Sequence, residues 1–255
     1  MRVVAVVSMK GGVGKTTLTA NLACALARVL GPMRAWTVDL DPQNAMHWHL
    51  GLNAAAAPGI CTNDPSEMAW PSRLLRSETG VGCLPYGAHK ESTRVAFENK
   101  LAQDPLWLKR HIQATGFPAG SFVLIDTPPG PTVYLQQACR AADAVLAVVL
   151  ADAASYATMP ALLAWTSEAQ SGVGAPSRLW CVLNQVDLSD PLNRDVGELL
   201  KSQLGASLLP VCIHRDEAVG EALAFQKSVL EYAPQSQASL EFAQLAQWLA
   251  AATDR

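Results

Sequence analysis

The sequence predicts an α/β fold, a doubly wound and mostly parallel sheet flanked by helices on both faces. Three observations carry that expectation. Short apolar runs alternate with stretches of helical periodicity along the chain. The first run opens directly into a glycine-rich turn and then a helix. Two later runs end in aspartate, and ligands of open parallel sheets gather beyond the carboxyl ends of strands. The 255 residues suffice for one large domain over 1–255 with a substantial core.

The first strand is Val3–Val7. Ser8-Met9-Lys10-Gly11-Gly12-Val13-Gly14-Lys15-Thr16-Thr17 follows, and Leu18, Leu22, Leu26, Val29 and Leu30 then recur on one face of a helix. Strand, glycine loop and helix in that order specify a phosphate-binding loop. Glycines let backbone N–H groups converge on phosphate oxygens, and the helix N-terminus adds unpaired donors and a positive dipole end. Gly11, Gly12, Val13, Gly14, Lys15, Thr16 and Thr17 are therefore the expected nucleotide cradle, with Lys15 on the β- and γ-phosphates and the Thr16 hydroxyl on Mg²⁺.

Ala35–Asp39 reads as the second strand and runs into Asp39-Leu40-Asp41-Pro42-Gln43-Asn44. Asp39 is expected to support Mg²⁺ through water. Residues 45–80, insert-like, hold Pro58-Gly59, Asn63-Asp64-Pro65 and Trp70-Pro71, so turns and short helices are expected. His47 and His49 lack a third ligand and do not read as a metal site. Val81–Pro85 is a short strand, and Glu91–Thr115 is helical with a break at Asp104-Pro105. Ser121–Asp126 is the next strand; its terminal Asp126 is placed to hold Mg²⁺. Ala144–Leu150, Arg178–Asn184 and Leu208–Ile213 complete the strands. Ser155–Gln170 is a helix, His214–Val219 enters another that runs to about Gln226, and a final helix presents Phe242, Leu245, Trp248 and Leu249 to the core.

Composition narrows the function. Net charge is −3, which disfavours a protein that lives on DNA. The six cysteines have no Cys-x-x-Cys spacing and read as reduced core residues of a cytosolic chain. No signal peptide and no membrane-spanning run is expected.

Lys10-Gly11-Gly12-Val13-Gly14-Lys15-Thr16, with Met9 where a first glycine is usual, resembles the deviant phosphate-binding loop of the ParA/MinD ATPase superfamily. The resemblance implies a homodimer with ATP sandwiched between its subunits, Lys10 reaching the partner's nucleotide. It also implies that Asp41 positions the attacking water and that Thr127-Pro128-Pro129-Gly130 senses the γ-phosphate. Asn184 would read the adenine edge, although turning a strand into a loop explains an Asn there nearly as well. Leu208–Ala218, with Val229-Leu230-Glu231-Tyr232 and Cys83-Leu84-Pro85-Tyr86-Gly87, resembles the BcsQ family, MinD-like proteins encoded with bacterial cellulose synthase. That likeness places Pro210 beside the nucleotide. It implies a slow, cytoplasmic ATPase that uses ATP and Mg²⁺ and supports assembly or localisation of the cellulose secretion machine. Its partners would be small cellulose-operon proteins and the cytoplasmic face of the membrane synthase, which would recruit it to the inner membrane. Direct DNA binding and an intrinsic membrane anchor are not expected.

Rival readings are a ParA-type partition ATPase, which needs a basic face, and a MinD-type division regulator, which needs a basic amphipathic tail. A static ATP-bound scaffold differs only in turnover. A nitrogenase-iron-protein-like reductase would need a cluster on residues such as Cys83 and Cys139, which lack its glycine-rich context. His214-Arg215-Asp216 does not signal a kinase, since no Asp-Phe-Gly follows.

Overall fold

The computed structural model describes residues 1–53, 57–61, 70–170 and 178–252. Seven strands among them form one sheet: β1 (Arg2–Val7), β2 (Ala35–Asp39), β3 (Leu75–Arg76), β4 (Val81–Leu84), β5 (Phe122–Asp126), β6 (Ala144–Leu150) and β7 (Arg178–Asn184). Their order is β3-β4-β2-β5-β1-β6-β7, and every pairing is parallel except β3 with β4. The helices are α1 (Lys15–Leu30), α2 (Met46–His49), α3 (Glu91–Gln103), α4 (Trp107–Thr115), α5 (Val133–Ala141), α6 (Ala153–Gln170), α7 (Pro191–Leu204), α8 (Glu217–Ala224), α9 (Val229–Tyr232) and α10 (Gln237–Ala252).

Strand alternation explains the two-faced core. Val4 and Val6 of β1 enter a cluster with Leu22, Leu26, Phe242 and Leu245 of α1 and α10. Val3, Ala5 and Val7 point the other way, into a cluster with Leu108, Ile112, Leu135 and Ala138 of α4 and α5. A strand covered on both faces reads as an unbroken apolar run, which is what residues 3–7 are. Helix α1 is buried from Leu18 through Ala27, wedged between the sheet and α10. It has no single apolar stripe, and Val29, in the last turn beyond that buried stretch, is 43% exposed rather than on a core face.

Parallel register aligns the strand ends that matter. Asp39 lies opposite Asp126, Val6 opposite Asp126, and Leu150 opposite Asn184. The chain steps one way across the sheet from β1 to β2 and the other way from β5 to β6, so the loop after β1 opens at the switch point between its neighbours.

The structure departs from expectation in several places. Residues 208–213 do not form a ladder strand: Leu208 makes only an isolated bridge to Cys181, and Leu209 and Ile213 donate to the carbonyls of Cys181 and Leu183. Pro210, which has no N–H, sits between those two bonds and breaks the run. The antiparallel β3 has no signature in the sequence, since two residues carry no periodicity. The helix expected from His214 to Gln226 is only α8; Gln226 takes φ 55° and α9 starts separately at Val229. The predicted turns at Pro58-Gly59 and Trp70-Pro71 lie in the described residues, the latter as a 3-10 turn over Trp70–Arg73. Asn63-Asp64-Pro65 lies outside them, as does the end of the tail, 253–255. Five cysteines are buried and Cys212 is half-buried.

Candidate functional site

The loop between β1 and α1 is shaped by its own glycines and tied to its neighbours. Gly12 and Gly14 take φ 76° and 78°, a left-handed geometry that side chains resist. A Cβ on Gly14 would also stand 2.8 Å from Asn184 Nδ2. The Ser8 hydroxyl donates to the Lys10 carbonyl at 3.0 Å, and Gly130 N–H donates to the Ser8 carbonyl at 2.9 Å, joining the loop to the turn after β5. No side chain caps α1 and its first turn holds no acid, so its leading N–H groups have no side-chain acceptor from the helix itself.

Asp126, fully buried at the end of β5, gathers the cationic and hydroxyl groups of that loop. Lys15 Nζ lies 3.1 Å from Oδ1, Thr16 Oγ1 donates to Oδ2 at 2.6 Å, and Thr19 Oγ1 lies 3.4 Å from Oδ1. Thr16 and Asp126 thus form a hard-oxygen pair of the kind Mg²⁺ takes with one or two protein ligands and phosphate oxygens. The donor set fits Mg²⁺ with a nucleotide, and the uncapped helix start fits the phosphates.

Asp39 has backbone partners that the sequence does not reveal. It is fully buried, its Oδ1 accepts from Asp41 N–H at 2.9 Å and its Oδ2 from Met46 N–H at 3.1 Å. It therefore folds the 40–46 segment back over the strand end. Burial, and next the charge of Asp126 opposite, push its carboxyl well above the usual range. Asp41 is 8% exposed, and its Oδ1 accepts from Gln43 N–H at 3.0 Å. Burial raises its pKa too, with Lys15 pulling the other way.

Lys10 bends away from its own loop. Its ammonium pairs with Asp152 Oδ2 at 2.6 Å, both side chains about one-third exposed. Asp152, just past β6, also accepts Ser155 N–H at 2.7 Å at the start of α6. Sequence reasoning missed Asp152, because nothing local marks an Asp followed by Ser155 as a lysine partner.

A second missed group ties the segment after β2, through the loop after β4, to α5. Asn44, at φ 51°, accepts from Gly87 N–H at 3.0 Å, and the neighbouring Tyr86 hydroxyl meets the Tyr134 hydroxyl of α5 at 2.7 Å.

Beside Gly14 and Thr17 lies a cavity of about 320 Å³, walled by Asn184, Arg215, Val219 and Leu223 among others. Asn184 Nδ2 donates to the Val13 carbonyl at 2.7 Å, so this side chain braces the loop as well as facing the cavity. Pro210 is not among its walls. It lines a neighbouring cavity of about 570 Å³ with Leu208, Leu209 and Cys212, on the side of α7, because the 208–213 segment carries it away from the loop.

These residues converge on a loop found in a known family, and comparison decides which. The family model for cellulose biosynthesis protein BcsQ matches residues 1–250. The chain belongs to the BcsQ family. It is 29% identical to the BcsQ protein of Salmonella typhi over 252 residues, 97% of this chain and 94% of that one. It is also similar to the chromosome-partitioning ATPase Soj of Thermus thermophilus, at 30% identity over 249 residues, covering 97% and 94% of the two chains. The fold is that of the cell division ATPase MinD of Pyrococcus furiosus, with TM-score 0.76, 23% identity and 97% and 98% coverage. Cobyrinic acid a,c-diamide synthase of Mycobacterium smegmatis, solved with an ATP analogue and magnesium, shares it at TM-score 0.78, 22% identity and 98% and 94% coverage. Among the described residues no helix is long and apolar enough to cross a membrane.

Proposed function

We propose that this chain, acting as one domain over 1–255, is a slow ATP hydrolase that works as a nucleotide-dependent dimeric switch and supports assembly or localisation of a cellulose synthase complex. The observation that carries the reading is Lys10: it is held by Asp152 at the rim of the loop, away from the site that Lys15 serves. A second lysine parked outside its own phosphate cradle suits contact with a partner's nucleotide.

The roles follow from placement. Lys15 and the leading N–H groups of α1 neutralise and orient the phosphates. Thr16 and Asp126 would hold Mg²⁺, which when bound would offset the charge of the phosphates. Asp41 turns a water toward the terminal phosphate, and Asp39 keeps the segment bearing Asp41 in place. Lys10 leaves Asp152 for the facing subunit's phosphates, so the dimer forms only around ATP. Positioning and charge stabilisation are nearly all that phosphoryl transfer asks of a protein.

Light scattering with and without ATP–Mg²⁺ tests the switch. Lys10→Ala should bind ATP and stay monomeric, whereas Asp41→Ala should hold the ATP dimer without turnover. Normal dimerisation of the first, or continued turnover by the second, sinks the mechanism and leaves a static ATP scaffold. The process is inferred from family membership, which also favours small cellulose-operon partners and recruitment to the inner membrane through them.

The likeness to Soj favours one alternative, a ParA-type DNA-partition ATPase. The net charge of −3 speaks against it, since phosphate-driven binding needs clustered Lys and Arg. A steep salt-dependent affinity for duplex DNA would restore it.

A further inference from the structure

Gln185 follows the last residue of β7 and adopts φ 53°, a left-handed conformation that Asn, Asp and Gly favour and Gln does not. A turn alone would not select glutamine there. Along a strand, consecutive side chains point to opposite faces. The left-handed step cancels that alternation and brings two neighbouring amides to one place. A Cβ built on Gly14 would lie 2.8 Å from Asn184 Nδ2 and 3.1 Å from Gln185 Nε2, and both residues line the cavity beside Gly14.

The two amides are not equivalent. Asn184 gives its nitrogen to the Val13 carbonyl, so its oxygen is the group left to face a ligand. Gln185 is exposed, and its amide makes no hydrogen bond among the described residues. Beyond the amides the cavity wall is mixed: His214, Arg215, Asp216 and Glu217 line part of it, and Val219 and Leu223 supply an apolar surface that suits the face of a flat aromatic ring.

We infer that Gln185 is a second base-reading residue, which with Asn184 brackets the amino-bearing edge of a 6-aminopurine nucleotide in the cavity beside Gly14. The inference rests on the nucleotide reading of the loop and extends it to base selection. A fixed amide oxygen accepts from an exocyclic amine and repels a 6-oxo group. The neighbouring Gln185 amide, free to turn, then completes the edge by donating to the adjacent ring nitrogen. A 6-oxopurine is refused at Asn184 and never seats against Gln185.

Gln185→Gly is the decisive variant, because glycine accepts the left-handed geometry while removing the side chain that carries the amide. Gln185→Asn keeps an amide on a residue that tolerates the same backbone. Calorimetric titration of each full-length protein with ATP–Mg²⁺ and GTP–Mg²⁺, beside thermal unfolding without nucleotide, reads the effect. Gln185→Gly should unfold no lower than the parent and bind ATP about fivefold more weakly, with GTP affinity unchanged, the loss expected for one neutral hydrogen bond. Gln185→Asn should recover part of that loss. An unchanged ratio of ATP to GTP affinity in Gln185→Gly overturns the inference while leaving the nucleotide site intact. A parent protein that binds neither nucleotide overturns both.

Discussion

At the scale of single residues, the site is a redistribution of charge around Asp126. Lys15, Thr16 and Thr19 all reach that one carboxylate, so removing any of them disturbs an arrangement rather than one contact. Lys15→Ala should abolish ATP binding in an ATP–Mg²⁺ titration, since hydrogen bonds to charged groups contribute roughly 1.5–3 kcal/mol each and Lys15 is placed to make several. Equal affinity in parent and variant would remove the cradle assignment. A different residue-scale effect comes from His49, whose pKa burial lowers from 6.5 to about 4, with His47 lowered for the same reason. Above pH 6.5 both folded and unfolded chains carry these imidazoles neutral, and the burial costs nothing. Below it the unfolded chain takes protons that the folded chain refuses until about pH 4, so stability falls across that window. Thermal unfolding from pH 7 to pH 4 should show this slope, and His49→Gln should flatten it; equal slopes in the two proteins would show that His49 is not the source.

At the scale of elements, α10 holds the nucleotide-facing half together. Asp216 caps α8 by accepting Ala218 N–H and accepts Ala238 N–H of α10 as well, each at 3.0 Å, while Glu241 accepts His214 N–H at 2.7 Å. Phe242 is 1% exposed in the same cluster as α1. Phe242→Ala should therefore cost about 3–5 kcal/mol in denaturant unfolding, as large apolar truncations in cores do, and a cost below about 1 kcal/mol would mean α10 is not docked in solution. How legible all this is in sequence varies with range. The strand–loop–helix around Lys15 and the strand ending in Asp126 are legible because a few adjacent residues carry both the period and the chemistry. The partner of Lys10 is not, since Asp152 lies 142 positions away. Nor is the link from Asn44 through Gly87 and Tyr86 to Tyr134, which depends on how loops from two strands and a helix meet. Asp39 illustrates a subtler gap: its position at a strand end is visible, but that both its oxygens accept backbone N–H groups is a property of the folded turn. Residues 208–213 look like a strand because they are apolar, yet only Leu209 and Ile213 among them are buried and no ladder forms.

At the scale of the whole molecule, charge and process can be tested together. With a net charge of −3, the protein should bind neither duplex DNA nor anionic vesicles strongly at physiological salt, a result that co-sedimentation would settle. A strain lacking the gene should lose cellulose output and segregate its chromosomes normally; normal cellulose with missegregation would overturn the process assigned. The sheet's lateral borders add a final consequence. On one side β3 is two residues long, runs against its neighbour and ends in the exposed Arg76. On the other, 208–213 lies along β7 with Pro210 withholding a donor. Short, charged or proline-bearing borders refuse an added strand. Such borders disfavour sideways growth into fibrils, and leave the rim of loops as the face on which a contact between two copies would depend on what those loops hold.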